Sequence, residues 1–317
     1  MPRILRILVA VVLTAIVFYA AHPVDVIRAT AGADVRWLLA SVALVLVDRS
    51  LMALRWIDLL VALTPGSRPS FSRVLRIFFV SSFVSNFVPS VAADMYRAYA
   101  LARHDVHLAE STASVLMDRV LGVLSMVIVG ACALPFAESL GIQRGLILSL
   151  AIALAACGVA GAIVFSERAA LGVVRMMDVV PLAVVHRITA ALTEAVRRYS
   201  RHHIELARVL AMSVAVQAIR VVQAWCIGEA LGIELSLLTY FAVVPVILLI
   251  MQVPITINGL GTTQVAFVTL LGAAGAGAVQ TTALSILFLA LGVIGSLPGG
   301  VLYALADPAE RTGAQPS

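Results

Sequence analysis

The sequence predicts an all-α polytopic membrane protein of about six full spans and two re-entrant broken-helix hairpins arranged as an inverted repeat. Three observations carry that reading. Across 317 residues the chain is 62% hydrophobic and 12% charged, with a mean hydropathy of +1.05, beyond what a soluble domain with one greasy helix would show. Apolar runs of membrane length alternate with arginine-bearing loops. Two of those runs are interrupted, at Asn86-Phe87-Val88-Pro89 and at Val253-Pro254-Ile255-Thr256-Ile257-Asn258-Gly259-Leu260-Gly261. Hydrocarbon offers no partner to an opened backbone, so such breaks belong where protein shelters them or where they line a polar cavity. Thr262 or Thr263 is placed to cap a new half-helix running through Phe267 and Leu271. Its free N–H groups carry the positive end of the helix dipole and favour an anion.

The elements follow in order. Leu5 to Ala21 is a first span, with Arg3 and Arg6 holding its start in the cytoplasm. Trp37 to Leu63 is the second and carries Asp48, Arg49, Arg55 and Asp58. Leu75 to Val88 covers about fourteen residues, a rise of about 21 Å, and cannot cross a core of roughly 30 Å. With the piece through Leu101 it makes a re-entrant hairpin broken at Pro89. Ala113 to Pro135 and Leu146 to Phe165 are the next spans, and the loop of 166–208 that follows is rich in arginine. The hairpin reading keeps this loop cytoplasmic, in accord with the positive-inside rule. Within the loop Val185, Ile188, Leu192, Val196 and Tyr199 recur at helical spacing, which predicts an amphipathic helix at the membrane surface; a plain cytosolic connector is the alternative. Val209 to Leu231 is another span, Leu237 to Val253 and Thr262 to Ala274 form a second hairpin, and Thr281 to Leu305 spans back. This puts both termini in the cytoplasm.

An offset of about 170 residues aligns Trp56 with Trp225, Asp48 with Gln217, Asp94 with Gln264, and Gly122 with Gly292. Repeat A, about 37–135, and repeat B, about 209–305, each read span, broken hairpin, span, in a single transmembrane domain.

Composition excludes several functions. Lysine is absent, so all 22 basic residues are arginine, and there is no Walker A lysine and no Schiff-base lysine. The formal charge of +5 and isoelectric point near 9.6 do not indicate nucleic acid, because the arginines are scattered among apolar runs. Cys132, Cys157 and Cys226 lie inside apolar segments and read as packing residues. His104 and His107, with Asp105 and Glu110, read as a solvated face in preference to a metal site. No cofactor or metal is expected.

Asn86-Phe87-Val88-Pro89 through Asp94-Met95-Tyr96-Arg97 to Met117-Asp118-Arg119-Val120-Leu121-Gly122, together with Pro254-Ile255-Thr256-Ile257-Asn258-Gly259-Leu260-Gly261, resembles the membrane region of the lysylphosphatidylglycerol synthase and flippase family. The resemblance runs from about Trp37 to Tyr303 and does not include the family's aminoacyl-transferase half. It implies a polytopic inner-membrane protein that handles lipids. The chain departs from the pattern at Ala93, where the family usually has glycine, and at Thr263 and Gln264, where it tends to have a charged pair ending in glutamate. A neutral Gln264 cannot pair with a cationic headgroup.

Charges inside spans cost about 2.5 to 3.5 kcal/mol each on insertion scales, so they pair or line a wet cavity. Asp118 and Arg119 point to different faces of one helix and need separate partners. Pairing Arg119 with Asp94 leaves Arg97 for a lipid phosphate, to which a guanidinium presents a forked set of donors. The candidate substrate-binding set is Arg97, Asp94, Arg119, Asp118, Asn86, Asn258, Thr262, Gln264, Arg49 and Arg220. The charges read equally as structural interhelical ion pairs, and Asn86, Asn258 and Gln264 as groups that satisfy broken backbone. The function expected is a lipid translocase moving an anionic phospholipid or lipid-linked headgroup, with membrane lipids as partners. Two alternatives stay open: a lipid-modifying membrane enzyme using Asp94 or Asp118 as base, or a non-transporting partner of a separate lipid synthase or glycosyltransferase.

Overall fold

Every regular element in the described residues is a helix, as the long apolar runs require. The computed structural model describes residues 31–63, 70–88, 90–102, 107–133, 202–252 and 262–305, with isolated positions at 135, 144–145, 148, 151–152, 155, 194 and 197–199. Its helices are α1 (Val35–Leu63), α2 (Phe71–Val84), α3 (Ser90–Ala102), α4 (Leu108–Ala133), α5 (His203–Ala230), α6 (Leu237–Gln252), α7 (Thr262–Ala273) and α8 (Ala278–Leu305). Four of them, α1, α4, α5 and α8, are long and apolar enough to cross a membrane. At 26 to 29 residues each rises about 39 to 44 Å. They coincide with four of the spans read from the sequence. The span at Leu5 to Ala21, most of that at Leu146 to Phe165, the break at 253–261, Pro89 and most of the amphipathic stretch from Val185 lie outside the described residues.

Local chemistry sets the ends. The Asp34 carboxylate accepts the Arg36 N–H at 2.9 Å and caps α1. Gly232 and Gly275 have φ of 70° and 105°, which only glycine adopts freely. Each closes its helix with a paired set of hydrogen bonds: Ile233 N–H to Gly228 O at 2.9 Å after α5, and Ala276 N–H to Leu271 O at 3.0 Å after α7.

Helix starts at 35, 71, 90 and 108 recur at 203, 237, 262 and 278, so the order long, short, short, long occurs twice. The packing respects this order: α1 lies along α5, α2 packs on α8, and α6 on α4. Helices α1 and α5 run antiparallel, because Asp34 N–H meets Ala230 O at 3.0 Å at one end while Arg208 meets Asp58 at 2.8 Å towards the other. Trp56 and Leu60 near the end of α1 share a buried cluster with Val74 of α2, Leu101 of α3 and Val115 of α4. The chain therefore enters the α2–α3 hairpin and leaves it at the same end of the bundle. Packing between α2 and α8 is close enough that a Cβ on Gly299 would strike the Phe79 carbonyl.

Tyr199 is fully buried, clustered with Leu59, Met117 and Val209, and its hydroxyl donates to the Leu59 carbonyl at 2.8 Å. Burial pushes its phenol above the ordinary range. The sequence places Tyr199 on a lipid-facing stripe; the structure seats it against protein instead, because the ends of α1 and α5 leave an apolar socket there.

Candidate functional site

Where the hairpin of α2 and α3 meets α1, α4, α5 and the end of α6, the bundle encloses a cavity of about 190 Å³. Helical spacing explains which side chains reach it. On α1, Val45, Asp48, Met52, Arg55 and Leu59 recur every three or four residues and form one inward stripe. From the polar part of that stripe, Met52 and Arg55 line the cavity together with Arg49. Ser81, Ser82 and Ser85 come from the last turns of α2, Asp94 and Arg97 from α3, Asp118, Arg119 and Gly122 from α4, Gln217 and Arg220 from α5, and Gln252 from the end of α6.

The charges are organised in three groups. Asp118 is held from both sides, by Arg55 at 2.6 Å on Oδ1 and by Arg97 at 3.1 Å on Oδ2, with all three side chains buried. The Arg97 guanidinium lies over the Trp56 ring, 4.7 Å from its centroid, and the Trp56 indole N–H is fixed by Ser114 Oγ at 3.1 Å. Asp48 accepts from Arg220 through both oxygens, at 2.8 and 3.4 Å. Arg119 Nε meets Asp94 Oδ2 at 2.7 Å, and Arg119 Nη1 donates to Gln252 Oε1 at 3.1 Å. This third pair is the accessible one, with side chains 38% and 19% exposed, so it stands at the cavity mouth while the Asp118 group lies inside.

Five arginines line the cavity, while the aspartates engaged with them are Asp48, Asp94 and Asp118, a formal surplus of two positive charges among the described residues. Three buried atoms of cavity-lining side chains make no hydrogen bond there: Arg49 Nε, Arg97 Nε and Gln217 Oε1. Orphaned buried polar atoms are costly and rare, and these three belong to residues that line one cavity from α1, α3 and α5.

Of the candidates read from sequence, Arg49, Asp94, Arg97, Asp118, Arg119 and Arg220 come together on this wall. Asn86, at the end of the hairpin's first helix, donates to Ser296 Oγ of α8 at 2.8 Å and to the Phe83 carbonyl at 3.1 Å, outside the cavity. Thr262 begins α7; Gln264, half-buried on the same helix, is not part of the wall; Asn258 lies outside the described residues. The sequence leaves Arg97 without an acidic partner, and the structure corrects this by giving it one oxygen of Asp118. Arg55, Gln217 and Gln252 are among the lining residues that sequence reasoning missed, as are Ser81, Ser82 and Ser85. An arginine this near a span end reads from sequence as one that snorkels to the surface, whereas the Arg55 side chain is buried. Its place seven residues after Asp48 on the α1 stripe was the available signal.

A family model described as lysylphosphatidylglycerol synthase TM region matches residues 3–299. No curated protein matches the chain. The match covers nearly the whole sequence and agrees with the apolar helices α1, α4, α5 and α8, so this multi-pass membrane protein belongs to the lysylphosphatidylglycerol synthase transmembrane-region family.

Proposed function

We propose that the chain is a lipid translocase that carries an anionic headgroup across a bacterial inner membrane while the acyl chains stay in the bilayer. The observation that carries this reading is the arginine-rich cavity sunk between membrane-length helices, with donors left open inside it. A cavity whose arginines outnumber the carboxylates paired with them has its use in meeting an anion from outside. The repeated helix order supports the same reading. Equivalent first helices α1 and α5 run antiparallel, which relates the halves by an axis across the spans, the inverted arrangement of alternating-access carriers. In this reading α2–α3 and α6–α7 are re-entrant hairpins entered from opposite faces. Arg73, Arg76, Arg197, Arg198 and Arg208 lie towards the end of the bundle where α1 finishes, which by the positive-inside rule supports reading that end as cytoplasmic.

Purified protein in liposomes, with fluorescent phospholipids quenched from one side, is the direct test. The expected result is faster exchange of anionic lipids between leaflets than in protein-free vesicles. No acceleration for any anionic lipid would sink the proposal, and a change in the lipid's mass would point to an enzyme instead.

A further inference from the structure

We infer that the cavity selects its headgroup by charge, taking a doubly anionic phosphoryl group and excluding headgroups that carry an ammonium. This rests on the translocase reading of the cavity and narrows it to a substrate class. The first ground is the charge inventory. An ammonium entering the cavity would need a carboxylate, and Asp48, Asp94 and Asp118 are each held by arginine at 2.8 Å or closer. Among the described residues no further acidic side chain lines the wall. Releasing Asp48 or Asp118 would leave an arginine inside the cavity unpaired, at a cost larger than a surface contact could offset, and Asp94 at the mouth is already held by Arg119 at 2.7 Å. The surplus of two positive charges is matched by a phosphate monoester, which carries about −1.5 to −2 at neutral pH, or by a diphosphate. A phosphodiester with one charge matches half of it.

The second ground is the open hydrogen-bonding capacity. Arg49 Nε and Arg97 Nε are buried donors without partners, and both side chains line the cavity. Charge-assisted hydrogen bonds from guanidinium to phosphoryl oxygen are among the stronger ones available. Gln217 Oε1, an acceptor without a donor, would take an O–H from the guest, such as a glycerol or sugar hydroxyl. The third ground is size. A volume of about 190 Å³ falls below the roughly 300 to 1,000 Å³ of sites that enclose a whole small molecule, so a headgroup fits and acyl chains do not.

Binding can be measured without movement. The full chain in detergent micelles is titrated by calorimetry with dihexanoyl phosphatidic acid, dihexanoyl phosphatidylglycerol, lysyl-phosphatidylglycerol and inorganic phosphate. Phosphatidic acid is expected to bind about tenfold more tightly than phosphatidylglycerol, and the lysyl lipid to show no saturable binding. Arg49→Gln and, independently, Gln217→Glu each lower the surplus charge without taking a partner from a buried carboxylate, and either should bring the two anionic lipids to within about twofold. Equal affinity for all three lipids, tightest binding of the lysyl lipid, or a preference unchanged in both variants overturns the inference. Inorganic phosphate binding as tightly as phosphatidic acid assigns the site to the free anion and overturns the headgroup assignment. The expected order of binding without any lipid movement in liposomes leaves this inference standing and sinks the translocase reading alone.

Discussion

Asp118 on α4 meets Arg55 on α1 at 2.6 Å, across 63 residues of sequence, and both side chains are almost wholly buried. The contact fixes the height of α4 against α1 and so sets the floor of the cavity. Removing the carboxylate strands two guanidinium groups, since Arg97 shares it. Asp118→Ala is therefore expected to destabilise the protein by about 3 to 5 kcal/mol. The matching change at the mouth, Asp94→Ala, frees only a part-exposed arginine and should cost less than about 1 kcal/mol. Unfolding curves in one detergent compare the two; equal losses would mean that Asp118 is not the structural anchor.

Close helix packing gives a second expectation. A methyl group at Gly299 runs into the Phe79 backbone, which cannot rotate away, whereas one at Gly292 meets nothing within 4 Å. Gly299→Ala should therefore cost about 1 to 3 kcal/mol by forcing α2 and α8 apart, with Gly292→Ala near neutral. Thermal midpoints of the two variants decide the matter, and a Gly299→Ala protein as stable as the parent would show that the crossing is looser than drawn.

The four described spans were legible because their signal is local: a long apolar run with few charges can satisfy its backbone in lipid only as a helix. The start of α7 at Thr262 was legible for the same reason, since a hydroxyl after two glycines is a helix-start signal. What stayed hidden was partnership. Arg119 has Asp94 25 residues before it, near enough for a hairpin to suggest the pair, but Arg55 and Asp118 are joined only once α1 and α4 pack, and nothing in either segment names the other. Tyr199 failed for a related reason. Periodicity reports that one face is apolar and cannot say whether lipid or protein covers it.

The orientation of the halves is open to labelling. With Cys132, Cys157 and Cys226 replaced by alanine, single cysteines at Asp34 and Gly275 should react with a membrane-impermeant reagent from one side of sealed vesicles. Those at His107 and His202 should react from the other, because Asp34 sits against Ala230 while Leu59, Ala113, Tyr199 and Val209 cluster at the opposite end. Under the proposed orientation the second side is the cytoplasmic one. All four positions reacting from the same side would dismantle the inverted reading.

Arg97 is the residue at which structure and transport separate most cleanly. One of its terminal nitrogens holds Asp118 at 3.1 Å, but the shorter 2.6 Å contact from Arg55 remains when Arg97 is removed. Arg97→Ala should thus leave Asp118 paired and the protein folded, with the loss of one charge-assisted bond and of the contact over Trp56, about 2 kcal/mol together. The same change deletes an open donor and one unit of the charge surplus from the cavity. Anionic lipid movement is expected to fall by about tenfold or more at equal membrane amounts. Arg97→Lys keeps the charge and can still reach a carboxylate, yet an ammonium has no planar fork to grip Asp118 and a phosphoryl oxygen at once, so recovery should be partial. A folded Arg97→Ala protein with full lipid movement would return Arg97 to a structural ion pair and shift the site towards Arg49, Gln217 and Arg220 of the same cavity.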